Sequence, residues 1–197
     1  IKKNDEVLVP AVTFVATANA VAHCDAIPHF VDIEKTNFGI DVKNLESYLK
    51  KNTIIQNYRC INKKTKRIIR AIIPVHVFGH PCDMEKIIKI SKKYNLMILE
   101  DATEALGSFY KNKHVGNFGK IGVFSFNGNK IVTTGGGGAI VTNNKKLAKK
   151  IKHLSSTAKI KHKWRYIHDE IGYNYRLPAI NSSIGYSQLI NFKKNIS

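Results

Sequence analysis

Acidic residues are scarce in this chain of 197 residues. Only 14 Asp and Glu stand against 32 Lys and Arg, and none lies between Lys120 and His168. The formal charge of +18 suggests an anionic partner, phosphates above all, although solvated surface lysines of a Lys-, Asn- and Ile-rich chain would give the same number. Long apolar runs are missing too. No stretch approaches the roughly 20 uninterrupted apolar residues of a membrane helix, so no membrane partner is expected. The opening IKKNDEVLVP has neither an h-region nor a cleavage site, which leaves a soluble cytosolic protein as the expectation. Cysteine is sparse: Cys24, Cys60 and Cys82 are odd in number and widely spaced, which fits neither a disulfide framework nor a zinc ligand set. His76 and His80 have the spacing of a helical zinc pair, but Gly79 and Pro81 interrupt them, so no metal is expected. Trp164 and Tyr166 lie among basic residues without an RNA- or DNA-binding motif, which makes nucleic acid only the runner-up partner.

What is present reads as strands alternating with amphipathic helices around one core. Val7–Val9, Ile27–Val31, Ile68–Val75, Leu96–Glu100, Ile121–Phe126 and Gly138–Thr142 have the character of short buried strands. Val15–His23, Asp41–Lys50 and Lys145–Leu154 are expected as helices. So is the run through Met84, Ile87, Ile88 and Ser91, with Asp83 as its cap. The polar, basic stretch from Asn52 to Arg67 is expected as a surface excursion. This alternation predicts an α/β fold, a mostly parallel sheet with helices on both faces. Ligands of such sheets sit at the carboxyl ends of the strands, which points to Asp101, Ser125 and the loop from Asn127 to Gly138.

Each of these alone has an ordinary explanation. Asp101 could cap the turn that follows it, a single Lys among so many is usually a surface charge, and a glycine run is usually a turn. Their order changes that. In SFNGNKIVTTGGGG a strand-end hydroxyl, Ser125, precedes Lys130 by five residues, and glycines follow. The hydroxyl can anchor a phosphate, the lysine can reach an aldehyde, and glycine lets backbone approach a ligand. Asp101 could pair with a buried pyridinium and keep the ring able to accept electrons.

Six segments now carry a resemblance: DEVLVPAVTFVATANAV, HFVDIE, AIIPVHVFGHPCDMEKI, ILEDATEALGS, GVFSFNGNKIVTTGGGGAIVT and GYNYRLPAINSSIGYSQL. In this order the chain resembles the DegT/StrS family of pyridoxal 5'-phosphate (PLP)-dependent sugar-nucleotide aminotransferases, a fold-type-I, aspartate-aminotransferase-like group. The resemblance implies that Lys130 holds the cofactor's aldehyde, Asp101 pairs with the pyridine nitrogen and Ser125 holds the phosphate. It further implies that Phe14 stacks on the ring, that Glu104 stands where many relatives carry Gln near the phenolic side, and that Asn174 reaches the phosphate of a neighbouring subunit's cofactor. A homodimer with a shared active site follows. TTGGGG in place of the common TTGEGG is similar to the branch acting on amino-sugars of the legionaminic and bacillosamine type.

Retention of Lys130 favours transamination over the related sugar dehydratases, which have lost that lysine. The expected reaction moves an amino group from glutamate to a nucleotide-linked keto-sugar, of the 4-keto-6-deoxy kind, in amino-sugar or surface-glycan biosynthesis. The other readings are a dehydratase of the same family and a non-catalytic anion- or nucleic-acid-binding domain on the same fold. Members of this family are nearly twice as long, so residues 1–197 are expected to be a partial large, cofactor-binding domain, truncated at both ends and without the small C-terminal domain. The final helix is expected to run through Ser197.

Overall fold

Val7, Leu8 and Val9 lie in β1 (Glu6–Pro10), all five residues of which are buried, because both faces of this strand are covered. Leu8 joins a cluster with Leu45, Leu49, Ile72, Met84 and Ile87, whereas Val7 and Val9 join Val21, Ala26 and Ala71. That alternation is the two-residue period of a strand, and it sets one helix layer on each side of the sheet. The computed structural model describes residues 1–195, so the end of the expected helix at Ser197 lies outside the described residues. Two compact units are present, residues 1–124 and 125–197.

In the first unit, helix α1 (Val15–Ala22) leads to β2 (Ile27–Val31), and helix α2 (Val42–Asn52) follows. Strand β5 (Ile68–Ile72), helix α3 (Met84–Tyr94), β6 (Met97–Asp101) and β9 (Ile121–Ser125) continue the alternation. The strands run in the order β9-β6-β5-β1-β2, and every neighbouring pair in that path is parallel. The expected α/β architecture is borne out. Helices α2 and α3 begin where carboxylates accept otherwise unsatisfied N–H groups: Asp41 from Asn44 at 2.9 Å and Asp83 from Lys86 at 3.2 Å. Asn95, at φ 53°, closes α3 in the left-handed conformation.

The stretch from Asn52 to Arg67 is largely exposed, as expected of a surface excursion, but it is ordered as a hairpin, β3 (Thr53–Gln56) and β4 (Arg59–Asn62), and β4 pairs antiparallel with β5. Asn57 and Tyr58 form its two-residue turn with φ of 50° and 57°, the twist that matches antiparallel strands. Thr53, Cys60 and Asn62 are buried, so the basic residues between them decorate a real strand pair. A second small hairpin, β7 (Phe109–Tyr110) and β8 (Lys113–His114), was not expected either.

The second unit holds β10 (Gly138–Val141), α4 (Lys145–Leu154), α5 (Ala179–Ile190) and a last turn, α6 (Phe192–Asn195). Asn144 caps α4 by accepting from Leu147 at 3.0 Å. No helix among the described residues is long and apolar enough to cross a membrane.

Candidate active site

Strand β6 ends at Asp101, the carboxyl edge where open α/β sheets hold ligands. Its backbone is tied to the neighbouring turn: Asp101 N–H donates to Pro74 O at 2.9 Å, and His76 N–H donates to Asp101 O at 3.0 Å. The carboxylate is held as well. Thr17, on α1, donates its hydroxyl to Asp101 Oδ2 at 2.6 Å, and Thr103 N–H donates to Oδ1 at 3.2 Å. Thr13 Oγ lies 2.7 Å from Thr17 Oγ. Because the Thr17 proton is directed at Asp101, Thr13 is the donor in that contact, which makes a short relay ending on a half-buried carboxylate.

Asp101 lines a cavity of about 260 Å³ together with Phe14, Val75, Phe78 and Glu104. Two aromatic rings flank it, Phe14 at 75% exposed and Phe78 at 76%. Phe78 is also strained, with φ at 51°, and its N–H is held by Glu104 Oε2 at 2.9 Å. Glu104 therefore has a duty in shaping the cavity wall. Phe78 was missed in the sequence, where only its neighbour Gly79 hints at an unusual turn.

In the second unit, Ser125 and Lys130 share one loop. Ser125 Oγ accepts from Asn127 N–H at 3.3 Å, and Lys130 N–H donates to Asn127 O at 3.0 Å. Phe126 closes the loop: its N–H donates to Gly137 O at 2.9 Å, and its carbonyl accepts from Thr134 N–H at 2.9 Å. Helix α5 fastens the far side, because Gln188 Oε1 accepts from Thr133 N–H at 2.9 Å and Asn181 donates to Thr134 O at 2.6 Å. Asn181 and Gln188 also went unnoticed in the sequence, although their spacing of seven places them on one helix face. Asn174 is exposed and lies in a bridge with Ser156, between Tyr173 and Tyr175, whose rings stack at 5.1 Å.

The acids of the second unit face its own bases, with Asp169 2.7 Å from His153 and Glu170 paired to Lys150. The hydrogen bond from His153 holds the Asp169 carboxyl below its usual range. Phe14, Asp101 and Glu104 thus come together around one cavity, Ser125 and Lys130 come together on one loop, and Asn174 stands on a separate segment.

A parallel sheet with a held carboxylate at a strand end and a lysine on a glycine-rich loop has the layout of a fold-type-I PLP-transferase large domain. The chain belongs to the DegT/DnrJ/EryC1/StrS aminotransferase family, whose model matches residues 1–197. Members of this family depend on PLP. Among curated relatives, the GDP-perosamine synthase of Escherichia coli O157:H7 is 43% identical over 189 residues, which are 96% of this chain and 47% of that protein. The UDP-4-amino-4,6-dideoxy-N-acetyl-beta-L-altrosamine transaminase of Campylobacter jejuni is 40% identical over 195 residues, covering 98% of this chain and 48% of that one. The structure of Helicobacter pylori PseC, an aminotransferase involved in the biosynthesis of pseudoaminic acid, superposes with a TM-score of 0.84 at 34% identity. It is covered over 47% of its length by 98% of this chain. The chain spans about half the length of these relatives.

Proposed function

We propose that this chain is the cofactor-holding part, a partial large domain, of a PLP-dependent aminotransferase that acts on a nucleotide-linked keto-sugar with glutamate as amino donor. The observation that carries the reading is Asp101: a carboxylate at a strand end, held through both oxygens, in a cavity that Phe14 and Phe78 also line. This donor set suits a flat cationic ring. Both Asp101 oxygens already accept from a hydroxyl or an amide, so the carboxylate keeps a fixed direction toward a third partner.

In this reading Asp101 faces the pyridine nitrogen, Phe14 covers the ring, Ser125 holds the phosphate and Lys130 holds the aldehyde. Glu104 keeps Phe78 in the cavity wall. Bound PLP supplies a sink for the electron pair released when a C–H bond beside the amino group breaks. Lys130 Nζ takes that proton from the α-carbon of the donor and returns it on the far side of the reaction, acting first as base and then as acid. Asp101 holds the proton on the ring nitrogen. In this reading the diphosphate of the sugar nucleotide is neutralised by basic residues of this strongly basic chain.

We further propose a homodimer in which Asn174 serves the neighbouring subunit's site, which its exposure supports. The unpaired state of all three cysteines supports work in the reducing cytoplasm. A 4-keto-6-deoxy sugar is the proposed acceptor, in amino-sugar or surface-glycan biosynthesis, supported by the relatives' names. The test is a product assay with intact protein, PLP, glutamate and a panel of 4-keto and 3-keto sugar nucleotides. An amino-sugar nucleotide formed together with 2-oxoglutarate is expected. Loss of water from the sugar without amine transfer would overturn the reading in favour of a dehydratase.

A further inference from the structure

Beside Asp101 sits a charged group with no part in that scheme. Glu100 is fully buried, and successive strand residues point to opposite faces, so its side chain runs away from the Asp101 cavity. Its Oε1 accepts from Phe118 N–H and Gly119 N–H, each at 2.6 Å. Its Oε2 accepts from Gly116 N–H at 2.7 Å and lies 3.3 Å from His76 Nε2. His76 is buried too, and its Nδ1 accepts from Cys82 N–H at 3.2 Å. The ring proton therefore resides on Nε2, aimed at Glu100.

Burial raises the Glu100 carboxyl's pKa, but hydrogen bonds from His76 and from the Gly119 and Gly116 amides more than offset this and leave it below its ordinary value. A buried anion of this kind is tolerable only with its donors in place. The glycines at 116, 119 and 122 make the approach possible. Gly116 has φ at +86°, and a Cβ on Gly122 would fall 2.1 Å from Gly116 O. A loop shaped this closely around one carboxylate is a backbone nest.

We propose that Glu100 is a positioning residue for the cofactor cavity. It binds the 116–119 loop and the His76 turn to the strand that carries Asp101. His76 is followed at once by Val77 and Phe78, which wall the cavity, and its N–H holds the Asp101 carbonyl. One carboxylate thus sets both where Asp101 ends its strand and where Phe78 stands. The inference rests on reading Asp101 as the residue that faces the cofactor.

The test compares Glu100→Gln, His76→Asn and His76→Gln in the intact protein. Glu100→Gln keeps the volume but sets an NH2 group against two N–H donors whichever way the amide turns. His76→Asn loses the donor to Glu100, and His76→Gln keeps one within reach. Hydrogen exchange is read at the amides of Phe78 and Thr103, which bond to Glu104 and Asp101, with Val9 of β1 as the reference, and PLP affinity is measured in parallel. Glu100→Gln and His76→Asn are expected to raise exchange at Phe78 and Thr103 about ten-fold or more, to leave Val9 unchanged and to weaken PLP by a similar factor. His76→Gln keeps the donor to Glu100 but gives up the acceptor of Cys82 N–H, so exchange at Phe78 and Thr103 should rise less than in His76→Asn. Unchanged exchange at Phe78 and Thr103, or a rise in step with Val9, would reduce Glu100 to a general stabiliser. Should Glu100→Gln not fold, the His76 pair makes the same comparison. Wild-type protein that binds no PLP would sink the proposed function, while the exchange data would still decide the role of Glu100.

Discussion

Replacing Thr17 by Val deletes one hydroxyl and almost no volume at a position only 5% exposed. The lost group donates to Asp101 Oδ2 at 2.6 Å, so the change acts on the carboxylate and leaves the packing of α1 intact. A hydrogen bond to a charged acceptor contributes about 1.5–3 kcal/mol when well shielded. Asp101 is only half-buried, and solvent screening brings the expected loss to about 1–2 kcal/mol, roughly a 5- to 30-fold weaker hold on PLP. Thr13 keeps an alternative acceptor, the Phe14 carbonyl at 3.3 Å, so no second cost is added. Calorimetric titration of PLP into Thr17→Val, with Thr17→Ser as the variant that restores the hydroxyl, measures the effect. Wild-type affinity in Thr17→Val, or failure of Thr17→Ser to recover it, would refute the role of this hydroxyl.

Three further outcomes follow from the same structure. Cys24 is exposed, whereas burial pushes the Cys82 thiol up to about 12 and raises that of Cys60, so a thiol reagent should titrate one cysteine in native protein and three after denaturation. At Glu6 and Glu100 burial raises the pKa, but hydrogen bonds lower it further, from Thr65 foremost for Glu6 and from His76 foremost for Glu100. Groups with depressed folded values stabilise above the unfolded carboxylate range and lose that contribution as pH falls through the folded value. The melting temperature should therefore hold from pH 7 to about 5 and drop steeply below about 4, and a flat profile would contradict it. Asn181→Ala removes the donor at 2.6 Å to Thr134 O and should cost about 1 kcal/mol, with faster exchange at Thr134 and Gly135, both readable by amide exchange.

How much of this was legible in the sequence depended on whether the signal was local. The apolar run at Val7–Val9, the cap at Asp83 and the spacing of Met84, Ile87 and Ile88 are local, and the structure shows the strand and helix they imply. Asp101 was legible because the carboxyl end of a buried strand is a known place to look. The hairpin of β3 and β4 was hidden because its alternation of Thr53, Cys60 and Asn62 with exposed Arg and Ile is weak against so many basic neighbours. Its turn residues Asn57 and Tyr58 carry no glycine. Glu100 was hidden for a different reason. An acid inside an apolar strand looks like the strand's last exposed residue until the amides of Gly116, Phe118 and Gly119 are seen to surround it. Phe78 and Asn181 likewise acquire meaning only through partners 26 and 47 residues away. The recurrence of glycine at 116, 119 and 122 was the one trace of the nest in the sequence.

That Lys130 holds PLP is tested most directly by covalent trapping. Intact protein saturated with PLP is reduced with borohydride, digested and analysed by mass spectrometry, with Lys130→Ala treated in parallel. Modification concentrated on the peptide containing Lys130, loss of the visible absorption band on reduction, and absence of both in Lys130→Ala are the predicted results. Modification spread over surface lysines, or a visible band that survives in Lys130→Ala, would contradict the claim.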